Sequence, residues 1–235
     1  MPSDKFNYAG KELEAMSFAI NYYTSLIQLL DPYLGERVGE VGAGTGSLSK
    51  LILKKNISQL TAIEPSTNLF PVLTNTLKNH SNVNTVNSFF HEISHDHVSY
   101  FDSILYVNVL EHIEDDKTEL EHIKYSLSEN GYACIFVPAL SWLYSDFDDS
   151  IGHYRRYHKK DLIKLVKSSG LRIVKVEYID FFGIIPWYIS MVVLKNKLNE
   201  GHVKIYDKYI YPCTKLIERI FPVPIGKNLL LIAQK

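Results

Sequence analysis

The segment E-V-G-A-G-T-G at residues 40–46 places three glycines at alternate positions directly after a short predicted strand. Glycine tolerates the backbone of a tight turn and lets the main chain approach a ligand closely, and unpaired N–H groups at the start of a following helix can bind that ligand. Glu64 ends the next apolar stretch, 18 residues after Gly46. A carboxylate there can accept hydrogen bonds from both hydroxyls of a ribose. The combination predicts a site for a nucleoside-containing cofactor; the alternative is a tight turn with a surface glutamate.

A second cluster of side chains that can do chemistry is G-H-Y-R-R-Y-H at residues 152–158, shortly after D-F-D-D at residues 146–149. The guanidinium group of arginine matches carboxylate and phosphate groups in geometry and charge. One interpretation is that Arg155 or Arg156 holds an anionic group of a substrate. The alternative is that the arginines pair with the nearby aspartates and fix the loop.

The elements that must position these groups are strands alternating with helices. Apolar residues at helical spacing predict an N-terminal helix over residues 10–31. Short apolar runs predict strands at residues 37–41, 60–63, 83–86, 102–107, 132–137, 171–178 and 229–233. Further helices are predicted at residues 47–54, 68–78, 116–128 and 160–169.

This alternation predicts an α/β fold with a mostly parallel, seven-stranded sheet, in a single domain over residues 1–235. Two connections exceed the usual length: residues 138–159, and an insert over residues 181–227 before the last strand. Ligands of such sheets lie beyond the carboxyl ends of the strands. Both connections are therefore candidates for carrying substrate specificity.

Composition and charge exclude several classes of protein. The chain has 235 residues, 46% of them hydrophobic and 22% charged, and a net charge of -1. These values indicate a globular protein rather than a disordered one, and a dedicated nucleic-acid binder would be clearly basic. The polar N-terminus does not resemble a secretory signal. The most apolar run, residues 181–194, contains Pro186 and is too short to span a membrane. We therefore expect a cytoplasmic location, with Cys134 and Cys213 as buried free thiols.

The glycine segment departs from the dinucleotide pattern G-x-G-x-x-G, because the position of the third glycine, counted from Gly42, is Ser47. Its form, E-x-G-x-G-x-G, resembles motif I of class I S-adenosylmethionine (SAM)-dependent methyltransferases. The similarity continues in the family order. A-I-E-P-S at residues 62–66 resembles the ribose-binding strand, F-D-S-I-L-Y-V-N-V-L-E-H-I-E-D at 101–115 the fourth strand and following helix, and G-Y-A-C-I-F-V-P-A-L at 131–140 the fifth strand.

The resemblance implies a Rossmann-like, doubly wound sheet with an antiparallel last strand, and SAM as the cofactor. It assigns cofactor contacts to Glu40, Gly42, Ala43, Gly44, Gly46, Glu64, Pro65, Ser88, Phe89, Asn108 and Val109. The family often has an acidic residue after the third strand that contacts the adenine. Here Phe89, Phe90 or backbone groups are expected to make that contact instead.

A closer resemblance links the chain to a bacterial subgroup often found beside or fused to sugar transferases. It depends on an L-E…N-Y pattern in the N-terminal helix and on D…G-H-x-R-R-Y at residues 148–157. By analogy it implies O-methylation of a small saccharide, a lipid-linked acceptor or an anionic metabolite. Methyl transfer from a sulfonium is an in-line displacement, which mainly requires alignment of the acceptor and exclusion of water.

An alcohol acceptor benefits from a nearby base, commonly histidine. His153 is one candidate, and His112, expected at the start of the helix after the fourth strand, is the other, with a capping or structural role as its alternative. The candidate substrate-binding residues are Tyr23, Arg155, Arg156 and Tyr157.

No metal site and no nucleic-acid partner are predicted. The three histidines of H-E-I-S-H-D-H at residues 91–97 lie in a strongly polar segment that is typical of a solvated loop. We interpret the apolar segment 181–194 as a lid or a dimer contact. The alternative is that it faces an apolar acceptor or a membrane surface. Peripheral membrane contact and oligomerisation are therefore both retained as possibilities.

Two other functions are weighed against methyl transfer. A non-catalytic subunit with this fold would support a partner, but the intact glycine segment and Glu64 argue against it. A nicotinamide-dependent oxidoreductase is disfavoured by Ser47 and by the methyltransferase-like later strands.

Overall fold

Seven strands form one sheet in a computed structural model that describes residues 6–8, 10, 15–196, 198–221 and 223–235. In chain order they are β1 (Arg37–Val41), β2 (Gln59–Ile63), β3 (Val83–Val86), β4 (Phe101–Val107), β5 (Leu127–Pro138), β6 (Arg172–Ile179) and β7 (Asn228–Gln234). Their order across the sheet is β3-β2-β1-β4-β5-β7-β6.

Neighbouring strands from β3 to β5 are parallel, whereas β7 is antiparallel to both β5 and β6. The predicted mostly parallel sheet with an antiparallel last strand is therefore confirmed. The chain moves outward in opposite directions from β1 and β4, so the switch point lies between these two strands. Ligands of open α/β sheets bind at such a point, beyond the carboxyl ends of the strands.

Helices connect the strands and cover both faces of the sheet. They are α1 (Ile20–Leu30), α2 (Ser49–Ile52), α3 (Phe70–Leu77), α4 (Phe90–Ile93), α5 (Asp116–Ser126), α6 (Asp146–Ser150), α7 (Lys159–Ser168), α8 (Ile184–Trp187), α9 (Glu200–Ile205) and α10 (Tyr211–Ile220). π-helical turns at Tyr188–Val193 and Tyr206–Ile210 follow α8 and α9. Short 3-10 turns lie at Asp31–Tyr33, Ser94–His97, Leu110–His112 and Ser141–Leu143.

Two hydrophobic clusters lie on opposite faces of the sheet, because successive side chains of a strand point in opposite directions. In β7, Leu229 and Leu231 join one cluster while Leu230 and Ile232 join the other. All four are fully buried. Burial on both faces is the reason why these strands are almost continuously apolar in sequence.

The N-terminal helix differs from the prediction of one helix over residues 10–31. Ala15 and Met16 are helical, the chain then turns, and α1 begins at Ile20; residues 11–14 lie outside the described part of the chain. The break has a tertiary cause, because the carboxylate of Asp207 accepts hydrogen bonds from backbone N–H groups at the start of α1.

The two long connections contain short helices. Residues 138–159 include α6, and the insert over residues 181–227 contains α8, α9 and α10, as the predicted helical insert requires. The expectation of two buried thiols was wrong for Cys213, which is exposed on α10, while Cys134 is buried in β5. Among the described residues, no helix combines the length and the hydrophobicity that a membrane-spanning segment requires.

Candidate active site

The glycine segment follows β1 as a tight loop at the carboxyl edge of the sheet. Gly42, Gly44 and Gly46 have φ values of +68°, +57° and +83°, which residues with side chains rarely adopt. A Cβ atom on Gly42 would lie 2.4 Å from Cγ2 of Val109, just after β4. The absence of a side chain at Gly42 therefore lets the loop pack against the end of β4, at the switch point of the sheet.

Glu64 lies at the end of β2 with its carboxylate turned into the glycine loop. One oxygen accepts a hydrogen bond from Gly44 N at 2.7 Å, and the other accepts from the backbone N of Ser66 at 2.9 Å and from its Oγ at 2.6 Å. The residue is 5% exposed. A carboxylate has about four lone-pair positions, so Glu64 can fix the loop and still accept a further hydrogen bond from a ligand.

Glu40 is buried behind the loop, at the end of β1. Its Oε2 accepts a hydrogen bond of 2.5 Å from Ser49 Oγ, at the start of α2. Burial raises the pKa of Glu40 to about 8, the Ser49 hydrogen bond opposes the rise, and the nearby charge of Glu64 adds to it. Glu40 therefore braces the loop against α2.

The backbone after β3 is tied to the same edge of the sheet. Asn87 Nδ2 donates to the carbonyl oxygen of Glu64 at 2.8 Å. Ser88 Oγ and the backbone N of Phe89 both donate to Oε2 of Glu92, at 2.6 and 3.0 Å. Ser88 and Phe89 are thus held by α4, whose first turn contains Glu92.

Of the two phenylalanines expected near an adenine, only Phe89 has a side chain that is accessible to a ligand. Phe89 is half-buried, and its ring centroid lies 5.7 Å from that of Phe6 in the N-terminal segment. Phe90 is 2% exposed and packs in the core against Phe101 and Tyr106. The structure thus removes Phe90 as a candidate and leaves Phe89.

Asn108 follows β4 directly and has a φ of +54°, an uncommon conformation for a residue with a side chain. Its backbone N–H donates to the carbonyl oxygen of Phe136 in β5 at 2.8 Å. Strained residues of this kind cluster at functional sites. Asn108 lines a cavity that begins beside the switch point.

The cavity has a volume of about 610 Å³, in the range of small-molecule sites. It lies between the carboxyl ends of β4 and β5 and the helical insert, with a wall that includes residues of α1. Its lining is mainly apolar and aromatic, including Met16, Ala19, Tyr22, Tyr23, Phe147, Trp187, Ile189, Met191, Leu194, Val203, Ile205, Tyr206 and Ile210. The cavity therefore favours a ligand with a large apolar part.

One end of the cavity is polar and contains His153. Its Nδ1 lies 2.9 Å from Oδ1 of Asp148. The guanidinium group of Arg156 donates to the same carboxylate through Nε at 2.9 Å and Nη2 at 3.1 Å. Burial alone would raise the pKa of Asp148, but the His153 hydrogen bond and the Arg156 charge outweigh it and hold the pKa below its usual value. Asp148 is thus an ionised carboxylate placed to accept a proton from Nδ1 of His153, and in the neutral tautomer with that proton the lone pair is on Nε2.

Glu111 and His112 lie beside His153. Oε1 of Glu111 is 3.8 Å from Nε2 of His153, and the Glu111 side chain is completely buried. Neither carboxylate oxygen has a hydrogen-bond partner among the described residues, and burial raises the pKa of Glu111 to about 7. The His112 and His153 ring centroids are 4.5 Å apart. Burial lowers the pKa of His112 to about 4.

Both predicted catalytic histidines therefore lie at the polar end of the cavity, together with a glutamate that the sequence analysis did not select. Glu111 precedes His112 in the L-E-H stretch. Its position among the apolar residues Val109, Leu110 and Ile113, shortly after a buried strand, was the available signal.

The four predicted substrate-binding residues separate into two pairs. Tyr23 and Arg156 line the cavity. Arg155 lies outside it, with Nη1 2.7 Å from Oδ2 of Asp116, and Tyr157 is buried with its hydroxyl donating to the same Asp116 oxygen at 2.8 Å. The direct substrate roles expected of Arg155 and Tyr157 are thus corrected, because Asp116 satisfies both side chains. Arg156 is paired with Asp148, as the alternative of loop-fixing arginines predicts, whereas the partner of Arg155 is Asp116 of α5 and not one of the aspartates at residues 146–149.

The fold is similar to those of many solved structures, among them methyltransferases and a cyclase. A SAM-dependent methyltransferase from Archaeoglobus fulgidus superposes with a TM-score of 0.65 at 17% identity, over 95% of this chain and 99% of that one. The 1,6-didemethyltoxoflavin N1-methyltransferase of Burkholderia thailandensis gives 0.63 at 17% identity, over 96% and 82% of the two chains. The [4+2]-cyclase SpnF gives 0.65 at 14% identity, over 99% and 97%.

These similarities establish the fold, at identities too low to transfer a substrate. A search of curated proteins gives no match. The family model described as "Methyltransferase domain" matches residues 17–176, which contain the glycine loop, Glu64, Asn108, Glu111 and His153. That span is well over half of the chain, and the chain belongs to the methyltransferase domain family.

Proposed function

We propose that this protein is a SAM-dependent methyltransferase that methylates an oxygen of a mainly apolar acceptor bound in the cavity. The proposal rests on one observation, which is that the candidate cofactor site and the polar end of the cavity are adjacent. The glycine loop with Glu64 and the polar end of the cavity meet at the switch point of one sheet, where Val109 contacts Gly42 and its neighbour Asn108 lines the cavity.

The residues at this edge fit SAM by the chemistry of their donors and acceptors. Glu64 would accept hydrogen bonds from ribose hydroxyls, and the loop of Gly42, Ala43, Gly44 and Gly46 would approach the nucleoside closely. Ser88 and Phe89 would border the adenine, with Pro65 beside them, and Asn108 and Val109 the methionine end. When bound, SAM supplies an electrophilic methyl group on a sulfonium, which is a good leaving group.

The lining of the cavity indicates the class of acceptor. Two cationic side chains of its wall, Arg156 and Lys227, are already paired with Asp148 and Asp180, at 2.9 Å in each case. An anionic acceptor would have to compete with these buried carboxylates. A molecule with a hydroxyl group and a long apolar portion suits the aromatic wall better, so a lipid-linked acceptor is favoured over a free saccharide or an anionic metabolite.

His153 is the side chain best placed to act on the acceptor oxygen. Asp148 fixes its ring through Nδ1, so the lone pair of Nε2 is available at the polar end of the cavity. That lone pair can receive a proton from a hydroxyl group, or bind a Lewis acid that lowers the pKa of the hydroxyl. Which of these two roles His153 has depends on the neighbouring side chains of Glu111 and His112.

The test is calorimetric titration of the folded protein with SAM. We expect binding to the wild type and at least a tenfold loss of affinity, about 1.4 kcal/mol, in Glu64→Gln. Glu36→Gln changes an exposed glutamate at the opposite edge of β1 and should bind as the wild type does. Transfer of a labelled methyl group to a panel of long-chain alcohols and lipid-linked sugars then tests the acceptor.

A folded wild-type protein that binds no SAM would contradict the proposal and favour the non-catalytic subunit. SAM binding with transfer only to small anionic metabolites would retain the methyltransferase and overturn the apolar acceptor.

A further inference from the structure

Glu111, His112 and His153 each direct one potential ligand atom to a common point. These three atoms, a carboxylate oxygen and two imidazole nitrogens, all lie within 4.8 Å of one another. Ligands that are about 2.1 Å from a metal ion are separated by roughly 3–4.2 Å. Small side-chain adjustments would therefore bring this set to coordination distance.

The carboxylate of Glu111 needs a partner that the described residues do not provide. It is fully buried, and both of its oxygens lack a hydrogen-bond partner in the described part of the chain. Buried carboxylates are normally paired or bound to a metal ion. The Glu111 Oε1 to His153 Nε2 distance of 3.8 Å exceeds that of a charge-assisted hydrogen bond, about 2.7–2.9 Å. It suits two ligands of one ion.

The imidazole of His153 is oriented as metal ligands usually are. A ligating histidine typically gives its second nitrogen to a carboxylate or a backbone carbonyl. Nδ1 of His153 lies 2.9 Å from Oδ1 of Asp148. The ring of His112 lies beside the backbone of Gly152, with its Nδ1 3.9 Å from where a Cβ on that glycine would be. Asp148 itself is held by Arg156, so the support extends one further step into the protein.

We infer that Glu111, His112 and His153 bind a divalent first-row transition-metal ion, such as Zn²⁺, Mn²⁺ or Co²⁺. Two imidazoles with one carboxylate suit these ions, whereas Mg²⁺ and Ca²⁺ prefer oxygen ligands. All three side chains line the cavity, so the remaining coordination positions face it.

The ion gives the polar end of the cavity a specific role. A hydroxyl oxygen of the acceptor can occupy a free position, and a bound cation lowers the pKa of that hydroxyl so that its proton passes to water. The role in holding the acceptor rests on the proposed function, whereas binding of the ion does not. The sequence analysis predicts no metal site. Our proposal differs from that prediction because the three ligands lie in two segments that only the fold brings together.

The experiment uses untagged, full-length protein freed of metal by a chelator. Equilibrium dialysis against Zn²⁺ with elemental analysis gives the stoichiometry and affinity, and the visible absorption of bound Co²⁺ reports its nitrogen ligands. We expect one ion per chain and a Zn²⁺-dependent rise in Tm. Glu111→Gln and His153→Gln should each weaken binding by roughly a hundredfold or more, since loss of even an outer partner costs 10–100-fold.

Matched controls are Glu114→Gln and His80→Gln, which change exposed residues of the same types and should bind Zn²⁺ as the wild type does. Glu111→Gln should remain folded, because it removes an unpaired buried charge, and its Tm should not respond to Zn²⁺. Absence of stoichiometric binding, or binding that survives both ligand variants, would overturn the inference. SAM binding without metal binding would refute the ion and retain the methyltransferase; metal binding without SAM binding would do the reverse.

Discussion

Asp148 and His153 are joined by a hydrogen bond of 2.9 Å between Oδ1 and Nδ1, and Asp148 also holds the buried guanidinium group of Arg156. One carboxylate thus fixes the histidine and neutralises the arginine. Because Asp148 and Arg156 have 0% and 2% side-chain exposure, their pairing is not screened by water. The orientation of the cavity's polar end and the stability of the 152–158 loop therefore depend on the same residue.

Asp148→Asn should affect both the stability of the protein and the orientation of His153. The buried Arg156 loses its counter-charge, and removal of one partner of a buried pair costs about 3–5 kcal/mol in the free energy of unfolding. Affinity for Zn²⁺ should fall 10–100-fold, because His153 loses its carboxylate partner. Denaturant titration and dialysis measure the two quantities.

Asp146→Asn is the control for this change, because Asp146 forms an exposed ion pair with Lys195. Such pairs contribute little, so the control should stay within about 0.5 kcal/mol of the wild type. Equal stability of the two variants would contradict the role assigned to Asp148.

Gly42→Ala should damage the glycine loop in two separable ways. The backbone φ of +68° costs a residue with a side chain roughly 1–2 kcal/mol, and the new Cβ would lie 2.4 Å from Cγ2 of Val109. We expect lower stability in denaturant titration and at least tenfold weaker SAM binding. The double variant with Val109→Ala should recover the steric part but not the backbone part, which a double-mutant cycle resolves. Full recovery would show that backbone conformation is unimportant at Gly42.

Glu40 predicts a specific pH dependence of stability. The folded state retains its proton up to about pH 8, whereas the carboxyl group of the unfolded chain ionises near the ordinary glutamate value of 4.5. The folded state therefore binds more protons between these values, so this residue's contribution is full below about pH 4.5 and is lost as the pH rises through 8. The slope is at most about 1.4 kcal/mol per pH unit.

Glu40→Gln removes this dependence and is the matched variant. The difference in unfolding free energy between wild type and variant, measured from about pH 5 to 9, should move in favour of the variant up to about pH 8 and level off above it. The charge that faces Glu40 is that of Glu64, so the series is repeated in Glu64→Gln, where the dependence should weaken. A difference that does not change with pH would refute a raised pKa.

Asp207 should stabilise the start of α1 from a distant part of the chain. Its carboxylate accepts the backbone N–H groups of Asn21 and Tyr22, at 2.9 Å each, and is 5% exposed. Asp207→Ala leaves both donors unpaired and should lower the unfolding free energy by about 1–3 kcal/mol. Asp207→Asn keeps one acceptor oxygen and should lose less. Indistinguishable denaturation curves for wild type and Asp207→Ala would contradict this contact.

The strand pattern and the glycine loop could be predicted from the order of the residues. Strands that are buried on both faces must be almost continuously apolar, so their positions can be recognised. The glycine loop and the acidic residue at the end of the next strand belong to one strand-helix-strand unit, so a local pattern identifies both. The proximity of Gly44 and Glu64 could therefore be predicted. Their binding of SAM, and the catalytic and substrate roles of the site residues, stay predictions for the titrations to test.

The contacts between side chains of distant segments became evident only in the folded chain. His153 lies some forty residues beyond Glu111 and His112, and nothing in either local pattern specifies that their ring and carboxylate atoms converge. Asp116, rather than a substrate, satisfies Arg155 and Tyr157, and Asp207 starts α1 from the insert. The physical reason is the same in each case. Neighbouring residues determine where helices, strands and turns form. The pairing of buried polar groups depends instead on which distant segments the packed core brings within hydrogen-bond distance.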